Sequence, residues 1–359
     1  MKKRIVILYG GRSAEREISI LSALSVIKAF DYRYYEIQTI SISLEGTWLK
    51  GPFLTEKPTS ENILEKTTEL ISPCFIKNLG DVVFPVLHGP MGEDGTIQGF
   101  LETINMPYVG TGVLASAVAM DKITTKYLLQ TKGILQLPFV PVLNNDWSKQ
   151  TSSVFEKIEG HLVYPVFVKP ANTGSSIGIS RAENRIELQT SLELAFQYDS
   201  RALVEQGIKA REIEIGVIGN DDVQTTNAGE IIKNVDFYDY HAKYIDNQIS
   251  MDIPANIPEE INQQAREYAK KIYITLAGSG LARCDFFLTK ENKLFFNELN
   301  TMPGFTEFSM YPLLWENMGL NYSNLIEELI HLAEKRFAEK QHYFAVKTFE
   351  NCESSLGSQ

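Results

Sequence analysis

The sequence predicts an α/β protein whose N-terminal part is a doubly wound parallel sheet, and two observations carry that expectation. Short, fully apolar runs alternate with stretches of helical periodicity, the pattern of strands buried on both faces and covered by helices. Two glycine-rich turns, Gly10-Gly11-Arg12-Ser13 and His88-Gly89-Pro90-Met91-Gly92-Glu93-Asp94-Gly95, end such runs. They lie at the carboxyl edge, where open α/β sheets bind ligands.

Ile5 to Leu8 is the first strand and runs into Gly10-Gly11. A helix follows, with Ile20, Leu21, Leu24 and Ile27 at helical spacing. Tyr35 to Ile42 and Val82 to Leu87 are the second and third strands, and the second glycine-rich turn opens another helix. After about Lys122 the rhythm changes. Tyr164 to Lys169 and Ala202 to Gln206 read as strands, with Pro170 to Gly178 between them as a flexible hairpin. Arg211 to Ile218 is another strand, and Glu259 to Leu276 a helix stopped by Gly278 and Gly280. Leu281 to Leu288 and Lys293 to Leu299 form a strand pair turning at Glu291-Asn292. A closing helix spans Tyr322 to Ala338, and the chain beyond Gln341 lacks periodicity and reads as a frayed tail.

At about 150 residues per domain, 359 residues make two or three domains. With 44% hydrophobic and 22% charged residues, the composition excludes disorder as a class. The net charge of −11 has the wrong sign for general duplex binding. The basic start and the short apolar run after it stop at Gly10, too early for an export core of about 7–15 residues. No run approaches the roughly 20 apolar residues of a membrane span. Cys74, Cys284 and Cys352 fit no metal spacing, and their odd number argues against a disulfide framework. The expectation is a cytoplasmic protein with no nucleic-acid or membrane partner.

No P-loop occurs, and the Gly10-Gly11 turn lacks the third glycine of the dinucleotide fingerprint. Ser13-Ala14-Glu15-Arg16-Glu17 places acids where a helix begins, which serves capping; alternatively Glu15 faces a cleft and receives a ligand ammonium. Arg283 with Asp285, and Glu298 with Asn300, each share one face of a strand. Asp285, Glu298 and Asn300 offer hard oxygen ligands suited to Mg²⁺, although a structural ion-pair network would use the same residues. Lys169 precedes a glycine- and serine-rich hairpin able to present backbone N–H groups to phosphates. Together with a metal cluster, that arrangement points to a nucleotide. The tyrosine-dense Phe237 to Tyr244 stretch reads equally as an edge strand, and His88, beside glycines at a strand end, is a better site candidate than His241.

These pieces, in this order, resemble the D-alanine–D-alanine ligase family of the ATP-grasp superfamily. The matching stretches are GGRSAEREIS at Gly10–Ser19, HGPMGEDGTIQG at His88–Gly99 and VLASAVAMDK at Val113–Lys122. They continue with FVKPANTGSSIGIS at Phe167–Ser180, FYDYHAKY at Phe237–Tyr244 and NELNTMPGFTEFSMYP at Asn297–Pro312. The resemblance covers the chain except its tail. It implies an ATP-grasp fold, α+β in its central part, preceded by the doubly wound domain. The implied divisions are a substrate-binding domain over residues 1–124, a central subdomain over 125–218, a C-terminal subdomain with the metal site over 219–345, and a tail over 346–359.

The resemblance further implies ATP-dependent joining of two D-alanines through a D-alanyl phosphate, for peptidoglycan precursor synthesis. In that role Glu15, Ser175, Tyr244 and Arg283 are catalytic, and His88, Gly304, Ser309 and Met310 bind D-alanine. Lys122, Lys169, Glu205, Gln206, Ile208, Glu212 and Lys243 bind ATP, while Asp285, Glu298 and Asn300 hold two Mg²⁺, with Mn²⁺ able to substitute. Tyr238 to Tyr244 resembles a mobile loop that closes over the site, with Tyr244 linked through Ser175 to Glu15. A homodimer is expected. The alternative on the same scaffold is a D-Ala–D-lactate or D-Ala–D-Ser ligase, which the Lys243-Tyr244 pair disfavours. Gln206 departs from the family pattern, standing where some relatives carry Lys.

Overall fold

The computed structural model describes residues 2–65, 69–233 and 249–344. The Phe237–Tyr244 stretch with Lys243 and Tyr244, Cys352, and the expected tail over 346–359 lie outside them.

Three sheets organise the described residues. The first contains β1 (Lys3–Gly10), β2 (Tyr35–Ile42), β3 (Trp48–Leu54), β4 (Glu69–Leu70) and β5 (Val82–Val86), in the order β4-β3-β2-β1-β5. β1 lies parallel to β2 and β5 as expected. β3 and β4, unforeseen, add two antiparallel edge strands, so the sheet is mixed. β3, half-buried around Gly51-Pro52, and the two exposed residues of β4 lack the apolar run that marks a buried strand.

Helix α1 (Arg16–Ala29) corrects the expected phase of its apolar stripe. Leu21 is 53% exposed, while Ile18, Ser19, Ser22, Ala23, Val26 and Ile27 are buried. Serines occupy the inner face because the glycine-rich turns approach there and need partners. Ser19 Oγ accepts from the Gly10 N–H (2.8 Å) and donates to the Val86 carbonyl. Helices α2 (Thr96–Thr103), α3 (Val113–Met120) and α4 (Lys122–Gln130) follow, with the Asp121 carboxylate capping α4 through Thr124 N–H at 2.8 Å.

The second sheet is antiparallel, in the order β6 (Phe139–Leu143), β9 (Arg201–Gln206), β7 (Val166–Pro170), β8 (Ser180–Ala182). The glycine-serine loop after Lys169 therefore joins β7 to β8, not directly to β9. Helices α5 (Asn144–Lys149), α6 (Thr151–Glu159) and α7 (Arg185–Ala195) supply buried apolar faces to this sheet's core.

β10 (Arg211–Ile218), β11 (Gln224–Thr225), β12 (Gly229–Lys233), β13 (Ile249–Asp252), β14 (Leu281–Leu288) and β15 (Leu294–Asn300) build the third sheet. β10 pairs with β12 and β14, so it belongs with this sheet, and the expected division at 218 falls behind one of its central strands. Helix α8 (Glu259–Thr275) covers its core. After α9 (Met310–Asn317), the closing helix α10 runs Tyr322–Phe344, longer than periodicity suggested. Its Leu325, Ile326, Leu329 and Ile330 pack in one core with Ile5, Ile7 and Val86 of the first sheet. The last helix thus returns to the first strand, which brings the β14–β15 edge against the turns of the first sheet.

Candidate active site

The first glycine-rich turn and the β7–β8 loop meet at Glu15. Its side chain is buried (7% exposed), and Ser175 Oγ, 160 positions away, donates to Glu15 Oε1. Two glycines leave room for it. A Cβ at Gly89 would stand 2.4 Å from Glu15 Oε2, and one at Gly174 would stand 3.0 Å from the same atom. Gly89 also has φ +77°, a region costly for other residues. Ser175 and Ser176 take φ +48° and +60°, which bends the loop tip towards Glu15. Glu15 and Ser175, linked by resemblance in the sequence, are brought together; Tyr244 lies outside the described residues.

His88 is buried behind this point. Its Nδ1 donates to the Met302 carbonyl at 3.0 Å, its Nε2 is 3.2 Å from Ser22 Oγ, and Glu93 Oε1 lies 3.6 Å from Nδ1. Burial disfavours the imidazolium, but the Glu93 and Glu15 carboxylates and the Met302 carbonyl outweigh it, and the His88 pKa is raised above 6.5.

β14 and β15 place the acidic cluster. Asp285 faces Glu298 across the pair, and Arg283 faces Asn300. Arg283 donates Nε and Nη2 to the two oxygens of Asp285 at 2.8 and 2.7 Å, and Asn300 Nδ2 donates to Asp285 Oδ2 at 2.9 Å. Glu214 on β10 pairs with Arg283 Nε at 3.0 Å. Burial opposes the guanidinium charge, yet Asp285 and Glu214 overcome it and hold Arg283 firmly protonated. Glu214 was missed in the sequence. Its signal was the Arg-Glu-Ile-Glu-Ile alternation, which puts Glu212 and Glu214 on one face of β10. Among the described residues no three His, Cys, Asp or Glu side chains gather as a metal site. The set here is two carboxylates and an amide. Its hard oxygens on neighbouring strands fit a divalent cation that also takes phosphate oxygens.

The lysines converge from the other side. Lys122, at the start of α4, donates to the Thr173 carbonyl (2.6 Å) and lies 3.6 Å from Glu298. Lys169 donates to Glu205 Oε2 at 2.7 Å and Asn297 Oδ1 at 3.4 Å. Lys126, also unforeseen, contacts Glu205 Oε1. Its signal was the i, i+4 spacing from Lys122, which puts both on one face of α4. The Gln206 side chain is turned to backbone, accepting from Val163 N–H at 3.0 Å and donating to Val163 O at 2.8 Å. Glu212 is half-buried on β10 and Ile208 sits beyond the end of β9, 36% exposed.

Ser309 precedes α9. Its Oγ accepts from Thr306 N–H (3.0 Å) and lies 2.8 Å from Thr306 Oγ1. A Cβ at Gly304 would come within 3.1 Å of that oxygen. Met310 is the first residue of α9 and is buried, its sulfur under Gly229. The Met310 N–H thus belongs to the helix's N-terminal turn, where anions are favoured.

Family models for the D-Ala–D-Ala ligase N-terminus and C-terminus match residues 4–111 and 128–331. The D-alanine–D-alanine ligase of Enterococcus hirae is 63% identical over 353 residues, covering 95% of this chain and 99% of that protein. That of Enterococcus faecalis is 65% identical over 346 residues, covering 93% and 99%. Among solved structures, the D-alanine–D-alanine ligase from Coxiella burnetii aligns with TM-score 0.81 at 33% identity, covering 96% of this chain and 98% of that one. The VanG D-Ala:D-Ser ligase from Enterococcus faecalis aligns with TM-score 0.82 at 33% identity, covering 93% and 100%. With both halves matched by the family's own models and near full-length relatives above 60% identity, this chain belongs to the D-alanine–D-alanine ligase family.

Proposed function

We infer that this cleft joins two D-alanines into D-alanyl-D-alanine with ATP, supplying the dipeptide of cell-wall precursor synthesis. The observation that carries the reading is 63–65% identity to D-alanine–D-alanine ligases over nearly the whole chain. A D-Ser ligase enters only through a structural neighbour at 33% identity.

The proposed roles follow the site's charge. ATP lies between the second and third sheets, with Lys122 and Lys169 towards its phosphates and Lys243 as a further ATP ligand. Backbone of Glu205 to Ile208 lines the adenine, since the Glu205 and Gln206 side chains are otherwise engaged, and Glu212 takes the ribose hydroxyls. Asp285, Glu298 and Asn300 would hold two Mg²⁺, or Mn²⁺, which neutralise phosphate charge when bound.

Glu15 receives the ammonium of the first D-alanine, and His88 lies behind it. The D-alanine carboxylate attacks the γ-phosphorus, the bond to ADP breaks, and an acyl phosphate forms. The second D-alanine is held by its carboxylate at Ser309 Oγ and the Met310 N–H, with Gly304 leaving space beside the reacting carbonyl. Its neutral amine attacks that carbonyl. Arg283 stabilises the tetrahedral oxyanion, inorganic phosphate leaves, and the amine's surplus proton passes to the departing phosphate. Ser175 holds the loop tip to Glu15, with Tyr244 completing the closure that keeps water from the acyl phosphate.

Three units, each built on one sheet, are the partition we propose, with the second and third dividing between Gln206 and Arg211. A cytoplasmic homodimer fits the reading; among the described residues no helix is long and apolar enough to cross a membrane.

Phosphate release from ATP with D-alanine, L-alanine, or D-alanine plus D-lactate or D-serine, followed by product mass, tests it. D-alanine-dependent release with the dipeptide as product is expected. A mixed product, or release with L-alanine alone, overturns the substrate assignment.

A further inference from the structure

Three ionised side chains lie in direct contact in the interior beside the nucleotide cleft. Glu205 is 2% exposed, and its two carboxylate oxygens are held one each by Lys126 and Lys169. Lys126, on α4, is itself 2% exposed, with its ammonium 5.4 Å from the centre of the Phe139 ring. Lys169 is nearer the cleft: it also meets Asn297 on β15, and Glu298 and Glu212 act on its charge. Counted against Glu205 alone, the two ammonium groups leave one positive charge, on the Lys169 side of the cluster.

That surplus needs an explanation, because burying a lysine is costly and one lysine would suffice as counter-ion for Glu205. Burial alone would push the Glu205 carboxyl up, yet the two ammonium groups hold it down to about 2. Lys126 is pulled below its usual value, since burial outweighs Glu205's support. A group kept at such cost has a charge to place.

We propose that Lys126 is a positioning residue for the nucleotide: it neutralises Glu205 from the buried side, leaving the charge of Lys169 to the phosphates of ATP. Without Lys126, Glu205 and Lys169 cancel one another, and the triphosphate loses the contribution of Lys169 and keeps that of Lys122. The inference rests on the reading of Lys169 as a phosphate ligand.

The test is equilibrium affinity for ATP, ADP and adenosine, with excess magnesium, on the full chain. In Lys126→Met, ATP affinity is expected to fall about tenfold and ADP affinity to fall too, with adenosine changing less than about twofold. Lys126→Gln, which keeps a donor towards Glu205, carries the same expectation should Lys126→Met not fold. In Lys126→Met/Glu205→Gln, Lys169 again provides one net charge, and the ATP-to-adenosine preference returns towards that of the parent. Equal losses for ATP and adenosine, or no recovery in the double variant, would reduce Lys126 to a packing role. If the parent chain itself shows no preference for ATP over adenosine, the reading of Lys169 fails instead.

Discussion

Arg283 is held by Asp285 on its own strand and by Glu214 on the neighbouring one. Nε and Nη2 are committed to Asp285, so in the proposed role the other terminal nitrogen is the one that would meet a substrate oxygen. Replacing it by Lys keeps a charge and loses the fork. Arg283→Lys is expected to lower kcat by about 100-fold, the value of one aimed donor to an oxyanion, with KM for ATP little changed. Steady-state kinetics decides this; a mutant with parental kcat would remove Arg283 from the chemical step.

His88 makes a second prediction at the same scale. Its raised pKa means the unfolded chain gives up this proton first, near 6.5, while the folded chain retains it to higher pH. The stabilisation is therefore fully present below 6.5 and is lost as pH rises through the folded-state value. Thermal melts from pH 6 upward should show the parent losing more stability than Glu93→Gln, whose curve should be flatter across that window. Parallel curves would mean that Glu93 does not set the His88 charge.

The turns act as units because their conformation and their closeness to Glu15 come together. Gly89 is left-handed and nearly touches a carboxylate, so Gly89→Ala pays twice. The expected cost is about 1–2 kcal/mol of backbone strain, seen as a lowered Tm. The displaced Glu15 would also raise KM for the first D-alanine. A variant with parental Tm and KM would show that the turn has slack. Gly174 differs: its Cβ contact is looser, at 3.0 Å, and its φ is not in the left-handed region. The same substitution there should act on KM more than on stability.

Across the whole molecule, α10 is the tie between the chain's two ends. Arg336 Nη2 donates to the Tyr108 carbonyl (2.9 Å) and Nη1 to Ser279 Oγ (2.7 Å) and the Gly110 carbonyl. Its guanidinium also stacks 4.3 Å from the Tyr108 ring centre. One side chain thus binds the first sheet's margin to the segment before β14. Arg336→Ala should destabilise by about 2–3 kcal/mol, since it removes several hydrogen bonds to a charged donor. Urea unfolding measures this, and a midpoint unchanged from the parent would assign the tie to the apolar face of α10 alone.

Much of the design was legible in the residues. Parallel pairing of β1, β2 and β5, the β14–β15 pair and the length of β10 follow from apolar runs and turn residues, signals that act over a few positions. Membership of the ligase family was legible too, because its glycine-rich and acidic stretches stand in order along the chain. The phase of α1 was not, since its inner face carries serines chosen for the turn they serve. Nor were the edge strands β3 and β4, whose residues lack a buried pattern. Lys126 and Glu214 escaped for a related reason: a buried charge has meaning only beside its counter-ion, and Glu205 lies 79 positions from Lys126. Local sequence determined the apolar strands, the turns that end them and the chemistry they carry. The tertiary structure alone decided which charges meet, because Coulomb and hydrogen-bond energies depend on distances of a few ångströms between groups far apart in the chain.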